Sequence, residues 1–335
     1  MQSRRRTLLS ICLLLASGTL GLPARAEVSE IRISKQYGLP YLSVAVVEQN
    51  QLIEKHAKAL GLADVKVNWV TIGSGGTSTD SLLAGNLDFV TSGVSNMLLL
   101  WSRTGGQVKA LAAAGAVPLI MVTRNPSVKS IADLSEKDKI AVPTVRVSMQ
   151  STILGIAAEK LFGEAGRGRF DPWTVAMAHP DATVYLLSGG GELTTHFSAP
   201  PYQYQALKAA GVREILNSTE VMGGPATITV VFGMTKFYEA NPKIIAAINA
   251  ALAEAMELID KDKRTAAEIY LKVSKEKLTV DELVEMINKP GFAFTMAPNG
   301  VMKYAEQMFK TGVMKTKPES WKDPFFPSAH GLPGS

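Results

Sequence analysis

The sequence predicts an α/β chain folded as two lobes, each around a parallel-type sheet, with a ligand cleft between them. Three observations predict this. Short β-rich runs alternate with helical runs in two successive series, and such alternation builds βαβ units. The alternation breaks near residues 115–126 and 220–226, as though the chain leaves one lobe and later returns to it. Strand candidates end repeatedly in clusters of glycine, hydroxyl and amide residues. Open α/β sheets place their ligands outside the carboxyl ends of the strands.

The first series starts with a period-two strand at residues 30–34 (EIRIS) and a helix over 42–60. A strand at 65–72, a helix at 77–84, a strand at 87–91, a helix at 94–102 and an apolar run from 108 follow. The second series has strands at 139–142, 173–178, 193–197 and 214–216, separated by helices at 149–162, 181–187 and 201–210. After Gly223-Gly224-Pro225 comes a buried-strand candidate, ATITVVF, at 226–232, and the rest reads as helical. Asn241-Pro242 is a helix start, with a capping side chain followed by proline at the first position. Ile245, Ile248, Leu252, Met256 and Ile259 recur at helical spacing and mark its buried face. Thr279-x-x-Glu282 predicts a capping box, and a last helix is expected over 302–309. The predicted lobes are 27–121 with 226–335, and 122–225.

The first 26 residues are set apart from this scheme. Arg4-Arg5-Arg6, an apolar stretch over 7–20 and Ala24-Arg25-Ala26 read as an export signal cleaved after Ala26. The Sec route is expected over the twin-arginine route, and the mature chain is expected in the periplasm. Residues 1–26 hold four arginines and no acids, so the net charge falls from +5 to +1 without them. The charge of the remainder gives no support for a nucleic-acid surface, and no nucleic-acid partner is expected. The one cysteine is Cys12, inside the signal, so disulfides, cysteine–zinc sites and thiol catalysis are excluded beyond it.

The loop Gly73-Ser74-Gly75-Gly76-Thr77 follows a strand and opens a helix. It lacks the lysine of a Walker loop and the third glycine of a dinucleotide fingerprint, so it does not read as a nucleotide site. Exposed amides at a helix start favour an anion or a polar ligand group; the plainer alternative is a turn capped by Thr77. Similar clusters end the other strands: Gln36-Tyr37-Gly38-Leu39-Pro40, Ser92-Gly93, Thr144 to Ser148, His179-Pro180-Asp181, and Ser198-Ala199-Pro200. Arg146, between Thr144 and Ser148, is a candidate grip for a sulfonate, carboxylate or nitrate. Its loss is then expected to weaken anion binding at least about tenfold. His179 is the only histidine at a strand end; His56 reads as surface and His196 as structural. No pair has metal-ligand spacing, no serine sits in a G-x-S-x-G elbow, and no nucleophile–base set is present. The expectation is a binding protein with no metal and no cofactor, and not an enzyme.

Several stretches resemble the solute-binding proteins of ABC importers in the nitrate, sulfonate and taurine group, which also includes binders of thiamine-pyrimidine precursors. They are YLSVAVVEQNQLIEKH at 41–56, LLAGNLDFVTSG at 82–93, SIADLSEKDKIAV at 130–142, FYEANPKIIAAINAALAEAMELI at 237–259 and GVMKYAEQMFKTGVMK at 300–315. The resemblance implies the type II periplasmic-binding-protein fold, with two crossing strands between the lobes. It implies ligand contacts at Gln36, Tyr37, Gly38, Leu39 and Pro40, at Gly75, Gly76 and Thr77, and at Ser92 and Gly93. In the other lobe it implies Thr144, Arg146, Ser148, Ser198 and Pro200. It further implies a small-molecule ligand, an ABC permease as partner and a monomeric state. The solute expected is an alkanesulfonate, taurine or nitrate-like anion. A pyrimidine-like or other neutral solute, and ligand sensing for a membrane receptor, remain open alternatives.

Overall fold

The structure, a computed structural model, describes residues 26–189, 191–274 and 276–335. The expected export signal therefore lies outside the described residues, apart from Ala26. Two five-stranded sheets form the two lobes. The first contains β1 (Glu30–Lys35), β2 (Lys66–Thr71), β3 (Phe89–Gly93), β4 (Val108–Gly115) and, from much later in the chain, β10 (Thr229–Met234). Its order is β2-β1-β3-β10-β4. The second contains β5 (Ile120–Thr123), β6 (Lys139–Val142), β7 (Thr174–Ala176), β8 (Leu193–Phe197) and β9 (Arg213–Asn217), in the order β7-β6-β8-β5-β9.

In each sheet one interior strand runs against its neighbours. β10 is antiparallel to β3 and β4, and β5 is antiparallel to β8 and β9, while β1–β2, β1–β3, β6–β7 and β6–β8 are parallel. The antiparallel strands follow the two passages between sheets, between Gly115 and Ile120 and between Asn217 and Thr229. β3 is buried throughout, as a central strand covered on both faces must be. The sequence does not mark β5 as a separate strand. Residues 108–121 form one nearly continuous apolar run, and only the change of sheet divides it in two.

Two large apolar cores result. One is confined to the first lobe and joins Ile31, Leu42, Val46 and Phe89 to Ile248, Leu252 and Leu283. The other runs across the lobes, from Val90 and Leu98 through Met149 and Ile153 to Phe197 and Tyr304. The helix Val301–Lys310 touches both Val94–Arg103 in the first lobe and Met149–Phe162 in the second.

Three local expectations need correction. The helix expected over 42–60 is two helices, Leu42–Gln49 and Leu52–Ala59, broken where Gln51 takes a left-handed φ of 49°. The helix Pro242–Lys261 is not capped by Asn241, whose side chain donates to the Phe237 carbonyl and accepts from the Val28 amide. Glu27 caps it instead, its two carboxylate oxygens each 2.9 Å from the amides of Lys243 and Ile244. The helix Gly75–Leu83 is capped by Ser74, which accepts from the Thr77 amide, and not by Thr77. The Thr279–Glu282 capping box forms as read. No helix among the described residues is long and apolar enough to cross a membrane.

Candidate functional site

The carboxyl ends of β1, β2 and β3 face those of β6, β7 and β8 across the gap between the lobes. The cavity there offers about 30 Å³, roughly two to three times the least that one water requires. The lobes touch around it. The Leu39 amide donates to the Pro200 carbonyl (2.8 Å) and Ser74 Oγ meets Thr144 Oγ1 (3.1 Å). Thr152 Oγ1 donates to Ser95 Oγ (3.0 Å), and Ser95 Oγ donates to the Met149 sulfur (3.0 Å). These contacts hold the two lobes together around the cavity.

Of the ligand contacts that the resemblance implies, Gln36, Tyr37, Pro40, Gly75, Gly93, Thr144 and Ser148 line this cavity. Ser92 stands just behind, buried, and accepts a hydrogen bond from Gln36 Nε2 (2.6 Å). Gly75 is required by close approach: a Cβ there would lie 2.6 Å from both Asn96 Oδ1 and Ser92 Oγ. Gly93 is required similarly, because a Cβ would meet Met149 Cγ at 2.7 Å.

The others do not reach the cavity. Gly76 directs its amide at Thr144 Oγ1 (3.4 Å), and the Thr77 side chain is exposed. Gly38 and Leu39 form a clasp with Pro200: Gly38 has a φ of 105°, and a Cβ on it would lie 2.8 Å from the Pro200 carbonyl oxygen. Ser198 is buried with its hydroxyl on the Ala199 carbonyl (3.4 Å), and it is Ala199 that lines the wall. Arg146 stands furthest from the expected position. Its φ of 65° turns it out of the cleft, and its Nε lies 3.4 Å from Asp171 Oδ2 with the side chain largely in solvent. It lines a separate depression beside Asp171 and Arg167.

The cavity also holds polar residues that the sequence reading passed over. Asn96 is 3% exposed, and its Nδ2 has no hydrogen-bond partner. Its signal was a lone carboxamide in the first turn of an otherwise apolar helix, VSNMLLLW. Gln150 has the same signal in the first turn after Ser148. His179 does line the wall, and it meets His196 behind it at 2.9 Å. Burial pushes the His179 imidazole down to about 3. His196, fully buried, is also held well below its ordinary value, by burial first and by its neighbour second. Both rings are neutral at pH 7.

The electrostatics follow from the backbone. Four helices begin at this cavity: Gly75–Leu83, Val94–Arg103, Met149–Phe162 and His179–Ser188. Gly75, Gly93, Ser148 and His179, at or beside their first residues, all line it. Each helix start carries roughly half a positive charge. No lysine, arginine, aspartate or glutamate is among the lining residues. The site is thus positive in potential without a charged side chain, and its donors are amides, hydroxyls and carboxamides. Among the described residues no group of His, Cys, Asp or Glu could hold a metal ion.

No family model matches the chain, and no curated protein matches it in sequence. Solved structures do match. The chain is similar to the alkanesulfonate-binding protein SsuA from Xanthomonas axonopodis pv. citri bound to MOPS, at 17% identity and a TM-score of 0.68, over 87% of this chain and 96% of that one. It is similar to the periplasmic nitrate-binding protein NrtA from Synechocystis PCC 6803, at 15% identity and a TM-score of 0.60, over 77% and 70% of the two chains. A Candida albicans gene product described as having the generic periplasmic binding protein fold matches at 12% identity and a TM-score of 0.64, over 87% and 93%. The likeness establishes the fold: this is a two-lobed chain of the periplasmic-binding-protein architecture.

Proposed function

We propose that this chain is an exported solute-binding protein that captures a small anion, of the alkanesulfonate, taurine or nitrate kind, and hands it to an ABC-type permease in the inner membrane. The observation that carries this reading is the convergence of four helix starts on one cavity that has no charged side chain. Such a site solvates an anion with fixed dipoles and neutral donors and leaves no counter-ion to compete for it. The same fold in sulfonate- and nitrate-binding proteins supports the reading. Contacts from both lobes make ligand binding favour the closed state over the open one. The protein acts as a monomer in the periplasm, needs no cofactor and performs no chemistry on the solute.

A thermal-shift panel of sulfonates, nitrate, carboxylates and neutral heterocycles tests this. A ligand at about a hundred times its dissociation constant adds about 2.7 kcal/mol to stability, which moves the midpoint by several degrees. The anions are expected to produce this shift. If only neutral heterocycles do, the cavity serves a neutral solute and the anion reading falls.

Arg146 gives a second check. Arg146→Ala is expected to leave affinity for the anion that binds best within about twofold, since an exposed ion pair outside the site contributes little. A loss of tenfold or more, read by titration calorimetry, would place Arg146 back on the ligand.

A further inference from the structure

The second lobe's wall of the cavity contains a linear chain of nitrogen contacts. Gln150 Nε2 lies 3.1 Å from His179 Nε2, and His179 Nδ1 lies 2.9 Å from His196 Nε2. Gln150 and His179 face the cavity, and His196 is wholly buried behind them with no partner for its Nδ1.

Each contact needs one donor and one acceptor, which leaves two neutral arrangements. In the first, the Gln150 amide donates to His179 Nε2, His179 Nδ1–H donates to His196, and the Gln150 carbonyl is left for the cavity. In the second, every bond is reversed: His196 Nε2–H donates to His179 Nδ1, His179 Nε2–H donates to the Gln150 carbonyl, and the Gln150 NH₂ is left for the cavity. An added proton permits only one orientation of the amide. Whichever ring carries the charge, His179 Nε2 bears a hydrogen, and the group that accepts it is the Gln150 carbonyl. The NH₂ then turns toward the solute.

We propose that Gln150, His179 and His196 form a protonatable relay that fixes the hydrogen-bond polarity shown to the solute, so that capture of an anion takes up a proton. The proposal rests on the anion reading above. Without a solute the pair stays neutral: it is buried, and His179 sits at a helix start, where a cation is disfavoured. No carboxylate reaches the pair from the elements around it. Asp181 on the same helix is exposed, and Asp138 below β6 is engaged by Asn125, Ser135 and Thr194. Tyr202 stacks on His179 at 6.0 Å and donates its hydroxyl to Glu276, which holds that carboxylate. Arg124 is bound to carbonyls at the far end of the His179 helix. A bound anion is the counter-charge that the pair lacks, and a neighbouring opposite charge raises a pKa by about 1–3 units. Binding of anion and proton then assist each other equally.

The test is calorimetric titration with ethanesulfonate in bis-Tris and in imidazole, cationic buffers of different ionisation heat, from pH 7.5 to 5.5. Uptake of about 0.3 to 0.8 proton per anion at the acid end is expected, with affinity rising about 1.4-fold to fourfold over the range. His179→Gln is expected to abolish the uptake. If that variant does not fold, the wild-type proton count decides alone. Binding of ethanesulfonate without proton uptake overturns the relay and leaves the anion reading standing. If ethanesulfonate, nitrate and acetate all fail to bind, both fall.

Discussion

Replacing Asn96 by leucine is expected to weaken anion binding by about ten- to a hundredfold while leaving the thermal midpoint of the free protein unchanged or raised. Asn96 sits in the first turn of Val94–Arg103, 3% exposed, at the cavity wall. Its Oδ1 accepts from Ser92 Oγ (3.4 Å), and its Nδ2 donates to nothing. An unsatisfied buried donor costs about 1–3 kcal/mol. A ligand oxygen in the cavity is the acceptor that this donor lacks within the protein. A hydrogen bond to a charged acceptor contributes about 1.5–3 kcal/mol, which is the stated range of affinity. Leucine of similar size removes the unpaired donor from the free state, with only the long contact to Ser92 lost, and removes the hydrogen bond from the complex. The two effects therefore have opposite signs, which separates a ligand contact from a structural one. Calorimetric affinity and a melting curve on the same variant check it. Unchanged affinity would remove Asn96 from the site, and a fall in midpoint of several degrees would mark it as structural. Arg146, which the sequence favours, is expected to show neither effect.

The contrast between Asn96 and Arg146 shows what local sequence could and could not carry. Strand ends were legible because glycines, hydroxyls and amides follow apolar runs, and ten of the residues named in those clusters line the cavity. Their side-chain directions were not legible. Arg146 turns away through a positive φ and a partner, Asp171, supplied 25 residues later. His179 and His196 meet only because β8 lies beside the start of the His179 helix, and no spacing rule for 17 residues predicts that. The helix cap supplied by Glu27 is more remote still, 216 residues from Lys243. The break at Gln51 has neither proline nor glycine to announce it. Period and punctuation are local properties and survive in the sequence. Pairings that depend on which strand lies beside which do not.

Acidification from pH 6.5 to 5.0 is expected to destabilise the unliganded protein by about 1.6 kcal/mol for each histidine of the buried pair, or up to about 3.3 kcal/mol in all. The sign follows from linkage. Both rings have folded-state values depressed by burial, His179 to about 3 and His196 well below its ordinary 6.5. Below pH 6.5 the unfolded chain binds protons that the folded chain refuses, so stability falls as pH falls, by about 1.4 kcal/mol per unit per group. The loss continues until the folded values are reached. Carboxylates with lowered values act in a lower window. Asp138 is held below its ordinary value by Asn125, Ser135 and Thr194 against the opposing effect of burial, and Glu282 is lowered to about 2 by Lys208 and its capping bonds. Their contributions are complete above the unfolded carboxyl range and are lost only as pH falls below it. Asp171 and Glu214 are raised by burial and act in the opposite sense as pH falls through their folded values, so the comparison with a variant lacking the pair isolates the histidines. Urea unfolding of the wild type at the two pH values measures the loss, and His196→Phe should flatten the profile whatever its own stability. A wild-type profile already flat across the interval would mean that the pair takes a proton in the folded state without a solute. Saturating anion should reduce the slope, because the bound state accepts the proton that the empty one excludes. One buried pair would then make the empty protein acid-sensitive and the loaded protein acid-tolerant.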